Sequence, residues 1–133
     1  MAHKRMLLIF TQAEACARAQ ALLEEYETSG DVAEAARCLR ELGVPGYHHE
    51  LVRRALAAAF AAPKHAPALR RLLAALASSG QITQTQMHTG FNRVCAVLDD
   101  YELDYPGAGA VFAELQAAGE REGWLGHADA NGA

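Results

Sequence analysis

Apolar residues recur every three or four positions along most of this chain, the period of a helix with one buried face. From about Gln12 to Ser29 that face is Cys16, Ala19, Leu22, Leu23 and Tyr26. Gly30 ends the stretch as a left-handed cap, and Asp31 with Glu34 opens a second helix as a capping-box variant. The second stripe is Val32, Ala35, Ala36, Leu39 and Leu42, stopped by Gly43 and Pro45. A third helix starts near Tyr47 or His48 and buries Leu51, Val52, Ala55, Leu56, Ala59 and Phe60. Past a short connection at 63–67, a fourth carries Leu69, Leu72, Leu73 and Leu76, and Ser78-Ser79-Gly80 ends it. Thr83 with Gln86 caps a fifth, whose apolar positions are Met87, Phe91, Val94, Cys95 and Leu98. An acidic loop follows, with Leu103 as its buried anchor. Pro106 suits the first turn of a sixth helix, where Val111, Phe112, Leu115 and Ala118 pack inward.

Gly123-Trp124-Leu125 begins a last element, with Trp124 as a core anchor. Residues 1–12 read as a poorly defined N-terminal segment and 126–133 as a disordered tail. No alternating pattern of a strand competes. The pattern predicts an all-α fold of about six to seven helices, paired as antiparallel hairpins by short loops. Ser29-Gly30-Asp31 and Ser79-Gly80-Gln81 break helices alike about 50 residues apart, as stacked hairpins would.

Composition agrees. Apolar residues make up 51% of the 133 and charged residues 21%, a globular balance for one domain. Alanine is abundant and β-branched residues are sparse, which favours helix. Three scattered cysteines with no C-x-x-C fit buried, reduced thiols better than a disulfide framework. No apolar run is long enough to span a membrane, and the basic, apolar start Met1–Phe10 lacks the length and cleavage site of a signal peptide.

Charge changes the picture more. The net charge is −4, against a primary nucleic-acid binder. Between Arg93 and Arg121 there is no Lys or Arg, while Asp99, Asp100, Glu102, Asp104, Glu114 and Glu120 all fall there. The basic pairs Arg53-Arg54 and Arg70-Arg71 read as solvated helix faces with at most a weak RNA contact. A concentrated acidic stretch calls for a metal, a catalytic pair or a basic partner. Asp100, Glu102 and Asp104 fit the first positions of a calcium loop, but Tyr105 replaces its glycine and Val111 its bidentate glutamate. Catalysis lacks a neighbouring His, Cys or phosphate cradle. His48-His49-Glu50 misses the second zinc histidine because Arg53 stands there; one of the two histidines packs or caps the helix start and the other is exposed. Neither an enzyme nor a cofactor site is expected. A carboxylate cluster between rigid helices does suit a basic protein partner, unless Asp104 instead serves the following helix N-terminus.

Three stretches together resemble one family. They are 25–42 with Ser29-Gly30-Asp31, 44–55 with Pro45-Gly46-Tyr47-His48-His49-Glu50-Leu51-Val52, and 90–125 with Leu98-Asp99-Asp100, Leu103-Asp104-Tyr105-Pro106 and Gly123-Trp124-Leu125. In this order they resemble the MA-3 domain, of the programmed-cell-death-4 type, over 13–125. The resemblance implies a HEAT-like stack of helical hairpins whose last helix is incomplete in this chain. It also implies a non-catalytic, monomeric translation regulator, cytoplasmic and also nuclear. Such domains bind the DEAD-box RNA helicase of translation initiation, initiation factor 4A, and inhibit its RNA binding and unwinding. The family's Asp-x-x-x-Asp pair falls on Asp100 and Asp104, and local charge adds Asp99 and Glu102. A helical scaffold module of an initiation or nuclear RNA-processing complex, serving another partner, is the alternative.

Overall fold

The computed structural model describes residues 12–43 and 45–126. Seven α-helices make up the fold among these residues, with no strand: α1 Gln12–Ser29, α2 Val32–Leu42, α3 His48–Ala61, α4 Ala66–Ser78, α5 Gln84–Ala96, α6 Leu98–Asp104 and α7 Ala108–Glu122. Two 3₁₀ turns, Pro45–Tyr47 and Pro63–His65, bracket α3. Apart from Gln12, which opens α1, and Gly126, the expected N-terminal segment and tail lie outside the described residues.

The caps form where the residue types dictate. Asp31 accepts a hydrogen bond from the Glu34 amide at 3.0 Å, and Thr83 from the Gln86 amide at 3.2 Å. Gly30 and Gly80 both take positive φ, which ends α1 and α4 in similar fashion. Tight breaks of this kind fold the chain into HEAT-like hairpins.

α3 is the hub. It packs on α1, α4, α5 and α7. Leu51, Val52, Ala55, Leu56, Ala59 and Phe60 are all buried along it. Its closest approach is to α5, where Gly90 leaves room: a Cβ there would meet the Val52 side chain at 2.6 Å and the His49 carbonyl at 2.9 Å. Phe91 packs at a tilt against Phe112 at 5.7 Å and against Trp124 at 6.1 Å between ring centroids, so α5, α7 and the segment after α7 share one aromatic core. Trp124 and Leu125 are buried, as anchors of that core.

Several expected positions differ. Ala15, not Cys16, is buried at the start of α1, and Cys95 is exposed on α5. Pro106 stands in the turn before α7, whose N-cap is Gly107 at φ 101°. His49 is not exposed. It is half-buried, with its amide and Nδ1 both on Gln86 Oε1 at 2.8 and 2.9 Å. His48 is buried, with Nδ1 2.8 Å from the Gln81 carbonyl. The pair Arg53-Arg54 is not a solvated face either: both side chains are half-buried and bound to Glu50.

Candidate functional site

The expected acidic loop is a helix. Val97 breaks α5, and the Asp100 and Tyr101 amides bond back to its carbonyl at 3.0 and 3.3 Å to start α6. The seven residues of α6 divide cleanly by face. Leu98, Tyr101 and Glu102 lie on one side at spacings of three and four, all partly buried. Asp99, Asp100, Leu103 and Asp104 lie on the other, all exposed. At about 100° per residue these four span an outer arc of about 140°.

Two inner contacts hold α6 in place. The Tyr101 ring meets Phe60 edge-on, with centroids 5.2 Å apart, and its hydroxyl accepts from Arg53 Nη1 at 3.0 Å. Glu102 turns back along the chain, and its carboxylate accepts from the Gly107 amide at 3.2 Å and from the Gly109 amide. The unpaired amides and dipole at the α7 N-terminus favour a negative charge there. Glu102, expected as a partner contact, therefore fills the helix-terminal role that was the alternative for Asp104. A Cβ on Gly109 would stand 2.8 Å from Glu102 Oε2, so the bare glycine admits the carboxylate.

The outer face is what remains for a partner. Leu103 is 81% exposed, a correction to its expected burial, and it sits between Asp99 and Asp100 on the arc. Asp104 follows Asp100 by one turn, about 6 Å along the axis. Val97 and Tyr105 extend the apolar exposure at either end of the helix. An apolar knob ringed by three carboxylates has the make-up of a protein-binding patch, with a dry centre and a charged rim. No group of three or more His, Cys, Asp or Glu side chains poised for a metal occurs among the described residues.

Beneath the patch, Glu50 anchors the support. Burial alone would raise its carboxyl, but the Arg53 and Arg54 guanidiniums outweigh that and hold it below the usual carboxylate value. Arg53, bonded to Glu50 against the opposing effect of its own burial and aided by Tyr101, is held firmly in its charged form. Tyr101 is not legible from an acidic cluster, because it acts through Arg53, 48 residues away, whereas Glu50 stands three and four residues before its partners Arg53 and Arg54. The available signal was the i, i+3, i+4 placement of Leu98, Tyr101 and Glu102.

Residues 17–126 match the MA3 domain. The chain is 43% identical over 104 residues to MA3 domain-containing translation regulatory factor 1 of Arabidopsis thaliana, covering 78% of this chain and 15% of that protein. It is 44% identical over 104 residues to factor 4 of the same plant, covering 78% of this chain and 16% of that protein. Programmed cell death protein 4 of Gallus gallus is 44% identical over 87 residues, 64% of this chain and 19% of that protein. The chain thus spans under a fifth of the length of these curated relatives. The match runs from within α1 to the residue after the Trp124-Leu125 anchor, and the chain belongs to the MA3 domain family.

Proposed function

We propose that this chain is a non-catalytic translation regulator that binds the DEAD-box RNA helicase of translation initiation through the outer face of α6. The observation that carries the reading is the grouping of Asp99, Asp100 and Asp104 around exposed Leu103 on a helix pinned from behind. The names of the relatives, translation regulatory factors, supply the process. The resemblance supplies the helicase as partner, and the charge of the face agrees with it. A helicase surface that holds RNA is basic, because phosphate contacts dominate RNA affinity. Asp100 and Asp104, one turn apart, can each accept charge-assisted bonds from Arg or Lys, while Leu103 buries beside them, between Asp99 and Asp100. Occupying that basic surface excludes RNA and so slows unwinding. Glu102 is spent on the α7 amides, so Asp99, Asp100 and Asp104 carry the contact.

Titration calorimetry against the helicase tests this. Asp100→Ala with Asp104→Ala weakens binding by about a thousandfold, since two hot-spot truncations at about 2 kcal/mol each sum to about 4 kcal/mol. Affinity falls with added salt, less steeply in the double variant. Glu114→Ala, on an exposed position of α7, leaves affinity unchanged. Wild-type affinity in the double variant would exclude the α6 face as the contact.

A further inference from the structure

The arginine pair of α3 has an incomplete charge balance. One carboxylate, Glu50, serves two guanidiniums: Arg53 through Nε at 3.1 and 3.2 Å and through Nη2, and Arg54 through Nε at 3.1 Å. The other contacts are neutral. Arg53 Nη1 donates to the Tyr101 hydroxyl, and Arg54 Nη1 donates to Gln20 Oε1 at 3.1 Å. One positive charge is left over on side chains only 31% and 26% exposed. Arg54 Nη2 has no hydrogen-bond partner among the described residues. A half-buried charge without a counter-ion is unfavourable and attracts one.

That charge lines an open concavity of about 260 Å³, formed by Gln20, Arg53, Arg54, Ala57, Ala61 and Tyr105. The alanines leave space on the floor for an aliphatic stem. Tyr105 directly follows Asp104 and forms one lip, so the concavity adjoins the acidic face of α6.

We infer that this concavity receives an Asp or Glu side chain of the same protein partner that α6 engages, with Arg54 as its counter-ion. The inference rests on the proposed role of α6. It adds a second, opposite charge to the contact, so the partner must present a basic surface with one carboxylate beside it. Such alternation sets register and rejects partners that are merely basic. Nucleic acid is a poorer occupant. Phosphates follow one another along a strand, and Asp99, Asp100 and Asp104 would repel those next to the one in the pocket. A single carboxylate brings only one negative charge near Asp104, and the basic surface around it offsets that repulsion.

Arg54 is the residue to vary, because Arg53 also holds Tyr101 and hence α6. In calorimetry of the full chain against the helicase, Arg54→Gln binds about tenfold more weakly, the effect of losing one charge-assisted hydrogen bond. Arg54→Glu binds more weakly still, and Arg54→Lys, which keeps the charge without the planar fork, falls between wild type and Arg54→Gln. Circular dichroism melts of each variant check folding, and the Lys variant carries the test if the Gln variant is unfolded. Wild-type affinity in the Arg54 variants, with binding lost in Asp100→Ala/Asp104→Ala, would overturn the pocket assignment and leave the α6 reading standing. Wild-type affinity in both sets would overturn both. Anisotropy of a fluorescein-labelled oligouridine gives the third arm: no Arg54-dependent binding is expected, and RNA binding lost in Arg54→Gln would assign the concavity to nucleic acid instead.

Discussion

Glu102 and Asp104 lie two residues apart and face opposite ways. In a helix that separation rotates a side chain by about 200°. Glu102 therefore reaches inward to the Gly107 and Gly109 amides, while Asp104 is exposed beside Asp100. Asp104, closer in sequence to the α7 N-terminus, is the alternative candidate for the capping role. The longer Glu side chain and the helical state of α6 decide otherwise. Glu102→Ala should lower the unfolding free energy by about 1 kcal/mol, the usual loss when a carboxylate serving a helix N-terminus is removed. Asp104→Ala should change it by less than about 0.5 kcal/mol, as exposed substitutions do. Urea titrations followed by circular dichroism separate the two, and equal losses would contradict the division of labour on α6. Glu102→Ala should also leave much of the helicase affinity that Asp100→Ala removes.

At the scale of elements, the α3–α5 crossing sets the tolerance of the core. Gly90→Ala places a methyl group 2.6 Å from Val52 and 2.9 Å from a backbone carbonyl, which has no rotamer to move aside. Helix propensity gains about 1 kcal/mol from that change. Overpacking costs about 1–3 kcal/mol, and here the close atoms belong to two rigid helices, so the loss wins. A lower melting temperature for Gly90→Ala is expected; a higher one would mean that the helices separate easily. The long helices were legible in the chain because Leu69, Leu72, Leu73 and Leu76, or Leu51, Val52, Ala55, Leu56, Ala59 and Phe60, repeat the helical period with apolar residues over two turns or more. α6 was not, since seven residues give barely two turns and four of them are acidic. Leu103 misled further, because an apolar residue among carboxylates suggests burial, whereas here it is the exposed centre of the patch. The half-burial of Arg53 and Arg54 has a different reason: beyond Glu50, their partners Tyr101 and Gln20 lie 48 and 34 residues away, and no local pattern points to those two. The candidate pair Asp100 and Asp104 came from the resemblance, while their shared outward face came from the fold.

Across the whole molecule, α3 joins the core to the α6 face, and its first turn carries two groups that make the assembly acid-labile. Burial pushes the His48 imidazole below its ordinary value near 6.5, only partly offset by the Gln81 carbonyl, with His49 beside it adding to the shift. The folded chain therefore keeps His48 neutral at pH values where the unfolded chain already takes up a proton. Stability from this group is full above about pH 6.5 and is lost as pH falls toward the depressed folded value. Glu50, held below 4.5 by Arg53 and Arg54 despite its burial, acts in the same direction at lower pH: its contribution is full above about pH 4.5 and is lost as pH falls through its folded value. Urea midpoints should be level from about pH 8 to 7 and then fall in two stages, with a slope no steeper than about 1.4 kcal/mol per pH unit for each single group. His48→Gln should flatten the first stage and leave the second. The second stage removes the carboxylate that fixes Arg53, and Arg53 fixes Tyr101 under α6. Protection of the α6 amides from hydrogen exchange should accordingly fall together with Glu50 protonation, ahead of the α3 core; simultaneous loss in both helices would show that α6 does not hang on the Glu50–Arg53–Tyr101 chain.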